Sequence, residues 1–323
     1  MRGPIALTGS TGFVGRHLVA ALDEAGFSLK LLVREGPRDC GFGRAETIIG
    51  TLDDEAALAR LVAGAGAVIH LAGAIAAPDR ASFFAINAQG TEKLARAAMS
   101  AGVERFIHVS SLAAREPQLS DYGASKLEAE EKLLALAPLN LLIVRPPAVY
   151  GPGDRATLPL MAQLTRRLAV IPANREARIS LIYVEDLANY LIARLADDMA
   201  GLHEIDDGRP GGYGWPDLLK SAAETEGREA RAIFPPQWLL HGLSYPVGML
   251  GSALKLRVPL TPGKVRELYH SDWVARGDGV VNARQFAEGF RLTIAWYREQ
   301  GWLPARSAVD RRQSPKFYGE SRK

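Results

Sequence analysis

With 323 residues the chain is about twice the usual single-domain size of roughly 150, so one large α/β unit with an appended lobe is expected. Hydrophobic residues at 47% and charged residues at 23% exclude a mainly disordered, collagen-like or coiled-coil chain, and a single cysteine, Cys40, excludes an intramolecular disulfide and any cysteine-rich metal site. The lone cysteine gives no sign of an oxidising compartment, which makes the cytoplasm the default location, and the formal charge of +3 comes without the dense basic stripe of a nucleic-acid binder, so no nucleic-acid partner is expected and small anionic ligands stay compatible.

From Pro4 to about Val149, short β-rich apolar runs alternate with helical patterns, as they do in βαβ units whose parallel sheet is covered on both faces. The pattern predicts strands at Ile5 to Thr8, Leu29 to Arg34, Thr47 to Ile49, Ala67 to Ala72, Phe106 to Ser110 and Leu141 to Arg145. Apolar spacing of three and four predicts helices at Gly15 to Ala25 and Ile86 to Gly102 between them. The expected fold class is therefore α/β, with a doubly wound parallel sheet over residues 1–150. The proline and glycine punctuation of Pro146 to Asp154 then opens a smaller substrate-binding lobe. A strand-like run, Ile179 to Val184, and a helix capped by Glu185-Asp186 predict that the sheet regains the chain at about 178–200. The C-terminal lobe is then discontinuous, spanning 151–177 and 201–305.

Phe234 to Leu254 carries no Asp, Glu, Lys or Arg, which approaches the length of a membrane-spanning helix. Pro235, Pro236, Pro246 and three glycines interrupt it, so it is assigned to the lobe core or to an interfacial helix open to peripheral membrane contact, not to a span. Phe286, Phe290, Ile294 and Tyr297 form the apolar stripe of a helix over Asn282 to Gln300, with Gly301 placed to cap it. The basic stretch 306–323 has few apolar anchors and is expected to be a flexible tail. Six histidines are dispersed without metal-ligand spacing, so no metal is expected, and His108 is assigned a structural partner on a buried strand.

Between the first strand and first helix lies Thr8-Gly9-Ser10-Thr11-Gly12-Phe13-Val14-Gly15. Here Gly9 would make the turn, Gly12 would admit phosphates at a helix N-terminus, and Gly15 would let the helix pack close to the strand, which points to a dinucleotide pyrophosphate. Arg34 stands at the end of the second strand, where an acidic side chain would bind the ribose 2′-hydroxyl and an arginine instead suits a 2′-phosphate. The expected cofactor is NADP in preference to NAD, with the neighbouring Glu35 pulling the other way. Further on, Tyr122 and Lys126 lie one helical turn apart on one face, after a strand ending in Ser110-Ser111. A tyrosine with a pKa near 10 needs both a nearby ammonium and the charge of an oxidised nicotinamide to favour tyrosinate near neutrality, and Lys126 would supply the first, while Ser111, or Ser110 beside it, would place a hydroxyl on the substrate oxygen.

At this point the chain resembles the extended short-chain dehydrogenase/reductase family, often called the NAD-dependent epimerase/dehydratases, with a Rossmann-type sheet. The resemblance spans most of the chain and rests on Thr8 to Gly15, His70-Leu71-Ala72-Gly73, Asn87 in Asn87-Ala88-Gln89-Gly90-Thr91, Ser110-Ser111, Tyr122 to Lys126, and Arg145 to Gly151. It implies that Ser111, Tyr122 and Lys126 are catalytic and that Asn87 supports the site. It also implies that Leu71, Ala72, Gly73 and Pro146 border the nicotinamide half of the cofactor, that Leu52 in Gly50-Thr51-Leu52-Asp53 lies on its adenine side, and that a homodimer forms. Ser111-Leu112-Ala113 lacks the Thr-Asp-Glu run of sugar-nucleotide dehydratases, and Arg145-Pro146-Pro147-Ala148-Val149-Tyr150-Gly151 looks more like hydroxysteroid dehydrogenases and dihydroflavonol reductases than like epimerases. The expected activity is hydride transfer between nicotinamide and a small-molecule hydroxyl or carbonyl substrate, with Tyr122 as general acid/base. Nucleotide-sugar epimerisation and a non-catalytic dinucleotide-binding or assembly role are the rivals.

Overall fold

A computed structural model describes residues 3–34, 45–136, 140–244 and 261–305. Cys40, Glu35, the 306–323 tail and the second half of the charge-free stretch lie outside them. The elements run β1 (Ile5–Thr8), α1 (Phe13–Glu24), β2 (Leu29–Val33), β3 (Glu46–Ile49), α2 (Glu55–Val62), β4 (Ala67–His70), α3 (Arg80–Phe84), α4 (Gly90–Ser100), β5 (Arg105–Val109), α5 (Asp121–Leu134) and β6 (Leu141–Arg145). They continue as β7 (Ala148–Tyr150), α6 (Leu158–Leu164), β8 (Leu168–Val170), β9 (Arg178–Ile179), β10 (Leu181–Tyr183), α7 (Val184–Ala193), β11 (Gly201–Glu204), β12 (Tyr213–Gly214), α8 (Trp215–Glu226), β13 (Arg231–Ile233), a helix Pro262–Tyr269, β14 (Asp272–Trp273) and a closing helix Phe286–Glu299.

Seven of these strands form one parallel sheet in the order β11-β6-β5-β4-β1-β2-β3. The central strands β1, β2, β4 and β5 are buried along their whole length, as strands covered on both faces must be, which is why they read as mostly apolar runs, interrupted within β2 by Lys30 and within β5 by His108. One face packs on α1 and α7 through Leu18, Leu22, Leu187 and Leu191, and the other packs on α2 and α4 through Leu58, Leu61 and Leu94. The order reverses between β1 and β4, opening a crevice at the C-terminal ends of the strands, where open α/β sheets bind their ligands.

The return to the sheet differs from expectation. The run containing β10 pairs with β7 in a separate two-stranded sheet, α7 packs on α1, and the chain rejoins the central sheet only at β11, beside β6. Gly201-Leu202-His203-Glu204 is an edge strand open to solvent along part of its length, so it needs no apolar run to earn its place. The smaller lobe gathers its own core around Tyr150, Tyr183, Trp215, Phe286, Phe290 and Tyr297. Gly301, at φ 70°, ends the closing helix, whose Tyr297 hydroxyl donates to Asp154 O at 2.5 Å.

Candidate active site

The glycine turn after β1 is as tight as its spacing predicts. Gly9 adopts φ 79°, and a Cβ there would come within 2.8 Å of the backbone at Leu71 and Ala72. A Cβ on Gly15 would stand 2.1 Å from Gly9 O, so α1 can approach the turn only with glycine at that position. Gly12 is exposed and caps α1 without a side-chain hydrogen bond, and no acidic residue occupies the first turn. The N–H groups at the start of α1, including those of Phe13 and Val14, are therefore open to an anion. Thr11 is exposed beside them, its carbonyl held by Arg16 Nε at 3.1 Å. This is a cradle that a dinucleotide pyrophosphate fits. Arg34 is exposed just after β2, and Leu52 is half-buried against α4, where a Cβ on Gly90 would lie 2.8 Å from Leu52 Cβ. Gly73 is exposed, Leu71 and Ala72 are half-buried, and Pro146 is buried with its carbonyl accepting from Leu112 N at 2.9 Å.

A hydrogen-bond relay that the sequence did not announce holds the loop after β4. Ala72 N donates to Thr8 Oγ1 at 3.2 Å, and Thr8 Oγ1 lies 2.6 Å from His70 Nδ1. His70 Nε2 lies 2.8 Å from Thr91 Oγ1, and the Thr91 hydroxyl donates to Asn87 O at 2.6 Å. Each hydroxyl has one proton, so the chain of donors assigns the His70 proton to Nε2. Burial and then the charge of Lys126 push the His70 pKa down to about 3, which keeps the imidazole neutral as the relay requires.

Asn87 sits in a π-helical turn, Ala85–Gln89, between α3 and α4. Its Oδ1 accepts from Ala74 N at 2.7 Å, while Nδ2 donates to Ala74 O at 3.0 Å and to Ser125 Oγ at 2.9 Å. One buried amide thus ties the loop after β4 to the helix that carries Tyr122 and Lys126.

Ser120 starts that helix by accepting from Gly123 N at 3.0 Å, and its hydroxyl donates to buried Glu267 of the smaller lobe. A Cβ on Gly123 would stand 2.6 Å from Ala113 O, which brings α5 hard against the turn after β5. Ser111 lies in that turn, half-buried, accepting from Ala113 N at 3.2 Å and sharing a hydrogen bond with the Tyr122 hydroxyl. Phe83 packs against the Tyr122 ring with centroids 6.4 Å apart. Ser110 is committed elsewhere, because its hydroxyl donates to Glu130, which also receives Arg145 Nε at 2.9 Å. Of the two serines, only Ser111 faces the phenol.

Lys126 is buried and donates to Val109 O at 2.9 Å, with His108 Nε2 at 3.4 Å. Burial lowers its pKa to about 8, with Glu130 pulling the other way. Burial, then Lys126, then His70 hold His108 well below the usual imidazole range, so its Nε2 accepts and its Nδ1 carries the proton. The expected lowering of the phenol by Lys126 is not what the structure displays. Burial pushes Tyr122 up to about 12, the Ser111 hydrogen bond opposes this, and Glu267 adds to it. The ammonium is spent on Val109 O and His108 instead. Among the described residues no group of three or more His, Cys, Asp or Glu could hold a metal ion, and no helix is long and apolar enough to cross a membrane.

The model of the NAD dependent epimerase/dehydratase family matches residues 5–205. A ceramide reductase of Caulobacter vibrioides is 42% identical over 313 residues, spanning 94% of this chain and 97% of the relative. A UDP-glucose 4-epimerase of Vibrio cholerae is 29% identical over 264 residues, spanning 73% of this chain and 77% of the relative. The solved structure of MoeE5 in complex with UDP-glucose and NAD matches with a TM-score of 0.67 at 23% identity, over 92% of this chain and 99% of that one, a likeness of fold.

Proposed function

The chain belongs to the NAD dependent epimerase/dehydratase family, and we propose that within it the protein is a carbonyl reductase that prefers NADPH, with a ceramide-class lipid as its first candidate substrate. Oxidoreductase or epimerase activity with a nicotinamide cofactor follows from the named relatives. The reductase reading is supported by the Tyr122 phenol, which burial keeps protonated and which shares its hydrogen bond with Ser111 at the C-terminal end of β5. A phenol in that state is a proton donor. It would give its proton to the carbonyl oxygen as negative charge develops there, with the Ser111 hydroxyl bonded to the same oxygen. The bound nicotinamide supplies the hydride for the carbonyl carbon. Lys126, held on Val109 O, keeps a positive charge beneath the site, and Asn87 fixes the loop at Ala72 to Ala74 against α5. Arg34, exposed at the end of β2, would meet the 2′-phosphate.

The ceramide-class assignment rests on the 42% identity to the ceramide reductase of Caulobacter vibrioides, which runs through the smaller lobe as well as the sheet. A cytoplasmic homodimer completes the reading. Its test is net oxidation of NADPH on a long-chain ketone of the ceramide class, stoichiometric with product. An epimerase acting on a nucleotide sugar would instead turn over with no net change in cofactor absorbance. Tyr122→Phe is expected to lower kcat by about a thousandfold with NADPH affinity kept, and unaffected turnover would remove the phenol from the mechanism. Arg34→Asp is expected to move the preference from NADP toward NAD, and an unchanged ratio of affinities would dismiss the 2′-phosphate contact.

A further inference from the structure

The smaller lobe carries an exposed apolar surface that the site does not use. β8 and β13 pair in parallel, Leu168 opposite Arg231, Ala169 opposite Ala232 and Val170 opposite Ile233. The alanines face inward on the lobe core, which leaves Leu168, Val170 and Ile233 exposed on the other side. Five residues beyond Ile233, within a chain reach of at most ~17 Å, Trp238 opens the next run of exposed apolar residues. Residues 237–244 are helical there, and Trp238 (73% exposed), Leu239 and Leu243 are turned to solvent, the two leucines one turn apart.

Charge decides what such a surface fits. Arg155 to Arg175 and Ala230 to Ser244 contain no Asp or Glu, so both segments that build the surface carry positive charge alone. Arg166, Arg167 and Arg231 are exposed at its border, and none makes an ion pair among the described residues. Aliphatic side chains, a protruding tryptophan and a fringe of arginines are the components of an interfacial membrane anchor. The indole and aliphatic groups enter the headgroup boundary while the guanidinium groups meet lipid phosphates.

We propose that this face docks on an anionic phospholipid bilayer. The face is firmly joined to the lobe, since Phe234 packs against Trp215 and Pro235 O accepts from the Tyr269 hydroxyl at 2.5 Å. Tyr269 ends the helix that brings Glu267 to Ser120 at the start of α5, so the docked lobe is the one that closes on the Tyr122 site. Docking holds whatever the substrate is, so it is measured without one.

The experiment is flotation of the full chain with vesicles rich in phosphatidylglycerol and with vesicles of phosphatidylcholine alone, with NADPH affinity and thermal midpoint as checks of folding. Wild type is expected to float with the anionic vesicles and to stay largely free of the neutral ones. Replacing Arg166, Arg167 and Arg231 together by Gln should lower the partition coefficient by about a hundredfold, and Trp238→Asp by about tenfold or more. Activity on a water-soluble ketone should be unchanged in both variants. Failure of wild type to bind anionic vesicles, or binding indifferent to these substitutions, overturns the proposal. So does a wild-type dimer that Trp238→Asp converts to a monomer without lipid, because a second copy then covers the face. Loss of ketone reduction in Tyr122→Phe with flotation intact would separate the docking surface from the chemistry.

Discussion

Lys126 is a cation held where a cation is costly: buried, with one carbonyl and one neutral imidazole as its partners. Its folded pKa of about 8 lies below the ordinary 10.5, so between those values the unfolded chain binds a proton that the folded chain has shed. The stability of the wild type should therefore rise, relative to Lys126→Met, as pH climbs from about 8 to 10.5. The shift corresponds to about 3 kcal/mol across that window. Chemical denaturation of both proteins at several pH values measures the difference, and parallel stability curves would show that the ammonium carries no such penalty. The placement of Tyr122 and Lys126 on one face was legible from their spacing of four. What each touches was not. Ser110 and Ser111 are equal candidates in a string of letters, and only the arrival of Glu130 under Ser110, from the third turn of α5, tells them apart.

At the scale of elements, the loop between β4 and α3 keeps its shape through the Thr8, His70, Thr91 and Asn87 relay, whose members come from β1, β4, α4 and the π-helical turn. Thr8→Val is close in volume but removes both a donor and an acceptor, leaving Ala72 N and His70 Nδ1 without their partner. The variant should lose about 2–4 kcal/mol of stability. It should also bind NADPH several-fold more weakly, because Ala72 N and Gly9 pack against one another across this contact. Urea unfolding and a cofactor titration test this, and a stability within about 0.5 kcal/mol of wild type would show that the relay is incidental. The glycine turn, the buried strands and α1 were legible because hydrophobic periodicity and steric demand are local. The relay was not, because a histidine ending a strand looks the same whether its ring meets hydroxyls, a metal or solvent. A π-helical turn leaves no mark in apolar spacing that separates it from the end of an α-helix.

At the scale of the whole molecule, the two lobes are joined beside the chemistry by a run of mostly buried charges. Arg145 bridges Glu130 of α5, with Nη2 at 2.5 Å, and Glu204 of β11 at 3.6 Å. Glu204 also receives Arg115 Nη1 at 3.2 Å and Arg276 N at 2.8 Å. Arg115 ends the short 3₁₀ turn, Leu112–Arg115, that Ser111 caps, and it reaches across to Val274 O and Asp272 O, both at 2.7 Å. The turn that Ser111 caps therefore grips the segment of β14 in the smaller lobe. These pairings join residues more than 150 positions apart, and the seventh strand that supplies Glu204 has no apolar run, so neither could be read from local pattern. Arg115→Ala would leave two carbonyls without a donor and Glu204 with one guanidinium fewer. It should cost about 2–4 kcal/mol of stability. Because the lobe then docks loosely over Ser111 and Tyr122, KM for the ketone should rise more than kcat falls. Arg115→Lys keeps the charge but not the fork that serves two carbonyls and a carboxylate, so it should restore less than half of the lost stability. Equal stability and unchanged KM in Arg115→Ala would mean that the lobe is seated by its aromatic core alone.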